Sequence, residues 1–183
     1  MRRDIVIFKK PGDNPGLWLI IFLFICSACQ STYKKSSNWS IYKSDSKSSS
    51  YSSLKQVNKT NVSQLELAWT FAFKDALPGA RTSRIQANPI VVDGLMYIPS
   101  SRNRIYAINS ITGEQVWSFD PFSGTQGGNV SRGVTYWEDG NDKRILFTAG
   151  SNLFALDART GELISGFGKN GKVNLNTGMR GDP

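Results

Sequence analysis

Apolar and polar residues alternate in short bursts along the second half of this chain. Pro89-Ile90-Val91-Val92 and Leu95-Met96-Tyr97-Ile98 flank Asp93-Gly94, a two-residue loop suited to a twisted hairpin because Gly tolerates positive φ. Ile105-Tyr106-Ala107-Ile108 and Gln115-Val116-Trp117-Ser118-Phe119 continue the pattern across the Thr112-Gly113 turn, so four short antiparallel strands are expected. A second set follows: Val134-Thr135-Tyr136-Trp137, a longer loop from Glu138 to Lys143, Ile145-Leu146-Phe147-Thr148, Leu153-Phe154-Ala155-Leu156 and Leu163-Ile164. Upstream, the alternation of Leu67, Trp69, Phe71 and Phe73 predicts a further strand over residues 66–73. Before it, Leu54, Val57, Val62 and Leu65 are spaced as a short helix or turn could bury them.

The two sets are copies. Ile105-Tyr106-Ala107-Ile108-Asn109-Ser110-Ile111-Thr112-Gly113-Glu114 returns as Leu153-Phe154-Ala155-Leu156-Asp157-Ala158-Arg159-Thr160-Gly161-Glu162, and the two Gly residues lie 48 positions apart. A propeller blade of four strands takes roughly 40 to 50 residues and buries its faces only against neighbouring blades. The expected fold class is therefore all-β: about two blades of a ring too large for a chain of 183 residues. The last residues, Gly178 to Pro183, carry no cap or closing strand and read as the middle of a loop, so the chain is expected to be the front end of something longer. In closed propellers an N-terminal strand commonly completes the last blade, which would set Trp69 against sequence outside this chain.

The N-terminal quarter carries an address and a tether. Arg2, Arg3, Lys9 and Lys10 precede an apolar run from Leu17 to Cys26, too short for a hydrocarbon core that needs about twenty helical residues. A signal peptide over residues 1–29 fits that pattern. The run closes on Cys26-Ser27-Ala28-Cys29-Gln30-Ser31, which resembles a bacterial lipoprotein box with Cys29 as the lipidated residue, although Cys26 stands where that box prefers Leu. Both cysteines lie here, so the exported part forms no disulfide within itself.

Residues 30–84 follow as a tether and N-terminal docking segment, and residues 85–183 as the repeats. Eleven of the twenty-three residues from Ser31 to Ser53 are Ser, the composition of a flexible linker. Trp39, Tyr42 and Tyr51 argue that the part from Asn38 onward is docked, because large aromatics prefer burial.

Charge excludes more than it identifies. The net charge is +8, but residues up to Ser50 hold eight Lys/Arg against three Asp/Glu, so most of the excess sits in the leader and its flank. No basic stripe with interleaved aromatics runs through the repeats, which argues against nucleic acid as a partner. His is absent, so imidazole acid–base chemistry and His metal ligands are excluded from this chain.

Specific phrases carry a resemblance. Ala107-Ile108-Asn109 with Thr112-Gly113-Glu114-Gln115-Val116-Trp117 resembles the tryptophan-docking repeat of quinoprotein dehydrogenases, in which a Trp from each blade lies over the next blade's backbone. Ser165 replaces that Trp in the second copy. Trp39-Ser40-Ile41-Tyr42, Tyr51 to Asn58, Ala68-Trp69-Thr70, Gln86 to Gly94, Arg132-Gly133-Val134-Thr135-Tyr136-Trp137 and Gly166 to Leu175 are similar, in order and spacing, to the opening of the pyrroloquinoline quinone (PQQ) dehydrogenases. The likeness is strongest to the membrane-associated quinoprotein glucose dehydrogenases.

That resemblance implies an incomplete, two-blade part of an eight-bladed propeller behind a signal peptide. It also implies oxidation of a sugar or alcohol by PQQ with Ca²⁺, and electrons passed to a membrane quinone. The protein would face the periplasm and hold the membrane through its N-terminal lipid. Arg132 would pair with a cofactor carboxylate, and Gln86 would take the place where the family offers Glu or Gln to the cofactor. The general base and the Ca²⁺ ligands would lie in later blades, so no catalytic or metal-ligating residue is expected here.

Blander readings stand beside these. An Arg before Gly at a strand start is often solvated or ion-paired, and a lone Gln is usually surface. Tyr136 and Trp137 are expected to fill the core between blades, and Asp120 and Asp157 to cap turns. Arg102 stands where glucose dehydrogenases of this type hold His or an aromatic, which sets the glucose assignment in doubt. The alternative from another class is a non-catalytic propeller lipoprotein, a scaffold for outer-membrane protein assembly.

Overall fold

The computed structural model describes residues 38–75, 85–125 and 131–178, and the leader, Cys29 and the tether lie outside them. Two four-stranded antiparallel sheets dominate, each in simple sequential order. The first contains β1 (Ile90–Val92), β2 (Leu95–Pro99), β3 (Ile105–Asn109) and β4 (Gln115–Phe119). In the second are β5 (Thr135–Asp139), β6 (Asp142–Ala149), β7 (Asn152–Asp157) and β8 (Lys172–Asn174). Among the described residues no helix is long and apolar enough to cross a membrane.

Turn chemistry sets the registers. Val92 pairs with Leu95 around Asp93 and Gly94, whose φ values of 50° and 81° are those of the mirror-image turn that matches strand twist. Between β5 and β6 the strands run further than the sequence suggests. Asp139 pairs with Asp142, so the expected six-residue loop shrinks to Gly140 and Asn141, with Gly140 at φ 57° making the tight reversal. Asn109 and Asp157 cap equivalent turns: each carboxamide or carboxylate Oδ1 accepts the backbone N–H groups two and three residues on.

The core lies between the sheets. Ile90, Val92, Tyr97, Ile105 and Trp117 from the first sheet meet Ile145, Phe147, Phe154 and Leu156 from the second, all buried. Phe119 puts its ring against Phe147 and Phe154, which stack on each other at 5.2 Å. Trp117 locks the two sheets together. Its indole covers Gly161 so closely that a Cβ there would come within 2.6 Å of the ring, and its Nε1–H donates to the Ala158 carbonyl at 3.0 Å. The Tyr97 hydroxyl donates to the same carbonyl at 3.0 Å, so one acceptor holds two donors from the facing sheet. Burial, with Asp93 and Asp157 nearby, pushes the Tyr97 phenol above its ordinary range and keeps it a donor.

Besides the β5–β6 loop, further expectations are corrected; Leu54, Val57, Val62 and Leu65, spaced as if for burial, are all exposed. Residues 66–73 join no ladder among the described residues; Trp69, Phe71 and Phe73 pack on the first sheet, while Leu67 is exposed. Trp69 lies over Gly113, where a Cβ would meet the ring at 2.6 Å, and its Nε1–H donates to the Ser110 carbonyl at 3.3 Å. Phe71 and Phe73 set their edges on Tyr106 at 5.5 and 5.1 Å. Trp69 and Trp117 thus make equivalent locks one repeat apart.

Another correction is the fourth strand of the second set. Leu163 makes a single bridge to Leu156, after which the chain loops out and returns as β8 against Asn152–Phe154. The last is Trp137, which is 42% exposed and carries the Arg144 guanidinium over its ring at 5.0 Å instead of filling the core. Its neighbour Tyr136 does pack against the core.

Candidate functional site

Antiparallel order brings four pieces of chain to one end of the sheets. These are the approach to β1 (residues 85–89), the β2–β3 loop, the end of β4 and the approach to β5 (residues 131–134). The opposite end holds the tight hairpins and the Asx-capped turns, whose polar groups are consumed by their own backbone. Gln86 and Arg132 both lie on pieces of the first end.

Arg132 is there. Ser131 Oγ accepts the Gly133 N–H and donates to the Gly133 carbonyl, a local clasp that fixes the backbone around Arg132. Gly133 has φ 144°, a conformation L side chains rarely adopt, so glycine is required at the point where the chain turns into β5. Arg132 is exposed and its guanidinium has no ion-pair or hydrogen-bond partner among the described residues. It borders a cleft of about 230 Å³ whose other walls include Tyr42, Asn88, Ile90 and Thr135.

Gln86 is exposed in the extended approach to β1. It is not one of the walls of the Arg132 cleft; Asn88, two residues on, is. The structure therefore brings Arg132 together with Asn88, and Gln86 is not among the residues that line their cleft. Asn88 was not singled out by sequence reasoning, and Tyr42 was singled out only as a sign of docking within the serine-rich stretch, not as a wall of this cleft.

A second polar group sits on the β2–β3 loop. Ser100 Oγ donates to Asp75 Oδ2 and accepts the backbone N–H groups of Arg102 and Arg104 at 3.2 Å each. Arg104 pairs with Asp120 at 2.6 Å, and Asp120 also accepts the N–H groups of Phe122 and Gly124, so it caps the turn after β4. Burial raises the Asp120 carboxyl, but those N–H donors and the Arg104 guanidinium outweigh it and hold the group below its ordinary range. Arg102, Arg104, Asp75 and Asp120 line a nook of only about 40 Å³. Asn103 is buried at φ 61°, and its Oδ1 has no partner among the described residues.

Chemically, the Arg132 cleft offers a guanidinium without a partner among the described residues, a side-chain amide and an aromatic ring. That set receives a planar anion. Clusters of three or more Asp, Glu, His or Cys able to cage a metal ion are absent among the described residues.

Residues 39–183 match the model of the family described as PQQ: glucose/ethanol/alcohol dehydrogenase, beta-propeller domain. The chain belongs to this family. It is 36% identical over 120 residues to the quinohemoprotein alcohol dehydrogenase of Comamonas testosteroni, which covers 62% of this chain and 16% of that protein. With the quinoprotein glucose dehydrogenase of Gluconobacter oxydans (strain 621H) it shares 32% identity over 161 residues, 76% of this chain and 20% of that protein.

Among solved structures, the C. testosteroni quinohemoprotein alcohol dehydrogenase superposes with a TM-score of 0.60 at 32% identity, covering 79% of this chain and 20% of that one. The chain thus spans about a fifth or less of the length of these relatives. Its two sheets are a partial, unclosed β region consistent with part of the PQQ dehydrogenase propeller domain. Both alcohol- and glucose-type members stand among the relatives, so the family is fixed and the subtype is not.

Proposed function

We propose that this chain is part of an exported, PQQ-dependent dehydrogenase that oxidises a sugar or alcohol and delivers the electrons to a membrane quinone. The observation that carries the reading is Arg132: a guanidinium without a partner among the described residues, beside a Ser131–Gly133 backbone clasp, in a chain matched to this family over residues 39–183. PQQ is a flat quinone bearing several carboxylates, and the described residues fit it. Arg132 supplies a charge-assisted donor, Asn88 an amide, and Tyr42 a ring. Gln86 stands one step outside that cleft and serves the cofactor from its rim. When bound, the cofactor supplies two-electron oxidation of a CH–OH carbon; this chain's own part is to bind and orient it.

Calcium is a different case. The described residues contain no cluster of carboxylates that would cage it, so its ligands are assigned to no residue named here, and neither is a general base. The sheets are read as two blades of an eight-bladed ring, and Cys29 as the lipid anchor at the periplasmic face of a membrane. The dehydrogenase is preferred to a non-catalytic scaffold because residues 39–183 match the PQQ dehydrogenase family model. Arg102, on the β2–β3 loop, leaves the substrate a CH–OH donor without commitment to glucose.

The test is a dye-linked oxidation assay on the longest product that the gene encodes, reconstituted with PQQ and Ca²⁺ and offered glucose, other aldoses and primary alcohols. Cofactor-dependent dye reduction with at least one donor is expected. Absence of reduction with every donor would overturn the proposal.

A further inference from the structure

The N-terminal segment reaches the same end of the sheets by a route that leaves little freedom. Trp39 exchanges both backbone hydrogen bonds with Val91, its N–H donating to the Val91 carbonyl at 2.7 Å and its carbonyl accepting the Val91 N–H at 3.0 Å. Asn38 Oδ1 accepts the Asp93 N–H at 3.1 Å. These bonds cover the edge of β1 that faces away from β2. Three residues after Trp39, the chain presents Tyr42 to the Arg132 cleft.

Lys43 comes next, with its ammonium 5.4 Å from the centroid of the Tyr42 ring. It borders an adjoining cleft of about 490 Å³ together with Trp39, Ser50, Asn88 and Val91. Asn88 belongs to both clefts, which makes them neighbours. The loop holds Lys43 in place: Ser50 N–H donates to its carbonyl at 3.0 Å, and Ser44 Oγ donates to the Tyr51 carbonyl at 2.8 Å.

The nearby acid is spent within the loop. Asp45 accepts the N–H groups of Lys47 and Ser49 and the Ser49 hydroxyl, and no ion pair joins it to Lys43. Lys43 and Arg132 are therefore two cations without an acidic partner among the described residues, flanking Tyr42 and Asn88. Cations of this kind, with an aromatic surface beside them, recognise a planar ligand carrying more than one carboxylate.

We infer that Tyr42 and Lys43 of the N-terminal segment form a second wall of the cofactor site, Lys43 taking a cofactor carboxylate other than the one held by Arg132. This rests on the proposed PQQ reading. It makes the docking of the N-terminal segment on β1 a condition for tight cofactor binding.

Isothermal titration calorimetry of PQQ into the longest encoded product, at low ionic strength and without substrate, tests it. Arg132→Ala, Tyr42→Leu and Lys43→Gln are each expected to weaken binding about tenfold, the equivalent of roughly 1.4 kcal/mol, while Lys43→Arg restores it. Tyr42 and Lys43 are both exposed, so thermal midpoints should not move. If the unaltered protein binds and Arg132→Ala weakens it while Tyr42→Leu and Lys43→Gln do not, the second wall is wrong and the PQQ reading survives. Failure of the unaltered protein to bind overturns both.

Discussion

The two sheets descend from the same repeat, yet only one is locked on both sides. The first receives Trp69 over Gly113 and sends Trp117 over Gly161. Both indoles also donate to a backbone carbonyl, at Ser110 and Ala158. The second sheet receives a lock but sends none, because Ser165 stands at the third Trp position. Leu163 instead leans on Gly171, where a Cβ would come within 2.7 Å of it. Its last strand is short and wholly exposed, with Val173 and Leu175 open to solvent. The repeat is thus a two-part device: an indole from one unit, and from the next a glycine at positive φ with a free carbonyl beside it.

The comparison predicts an order of effects. Trp117 is 8% exposed, so Trp117→Ala should destabilise the protein most, by about 3–5 kcal/mol. Trp69 makes the equivalent lock half-buried and with a longer hydrogen bond, and Trp69→Ala should cost clearly less. Urea denaturation of the longest encoded product measures both; equal losses would break the claim that burial grades the two locks.

Tyr97→Phe comes next. It removes one of two donors from the Ala158 carbonyl while Trp117 keeps that acceptor satisfied, so a loss of about 0.5–1.5 kcal/mol is expected. The double variant with Trp117→Ala should lose more than the sum of the two, because the carbonyl is then buried without a donor.

The smallest effect is in acid. The folded-state Asp120 carboxyl lies below the ordinary 3.8, so its contribution is complete above the unfolded-state value and disappears as pH falls through the depressed one. Thermal midpoints measured from pH 5 downward should therefore drop less steeply in Asp120→Asn than in the unaltered protein. Parallel curves would show that Asp120 does not link the β2–β3 loop to the end of β4.

Seven of the eight strands follow from alternation and turn residues, since Asp93-Gly94, Thr112-Gly113 and Thr160-Gly161 mark reversals that depend only on local backbone preference. β8 does not. Lys172–Asn174 carries a single apolar residue and is a strand only because β7 offers it an edge, whereas the more apolar Leu163-Ile164 finds just one bridge. Residues 66–73 show the converse: a strong strand pattern that joins no ladder among the described residues.

At the candidate site, the Arg132-Gly133 motif could be read from sequence because it is local, and its proposed role awaits the binding test. Tyr42 and Lys43 owe their place to a fold-back of some fifty residues onto Val91, which no local pattern encodes. Gln86 was legible as a motif, but the structure places it outside the cleft walls that Asn88 helps to form.

The most direct measurement is a crystal structure of the longest encoded product soaked with PQQ. The account predicts the quinone at the strand-entry end of the sheets, one carboxylate within hydrogen-bond distance of the Arg132 guanidinium and Tyr42 beside the rings. Density for the cofactor at another place, with Arg132 paired to an acidic side chain, would contradict it.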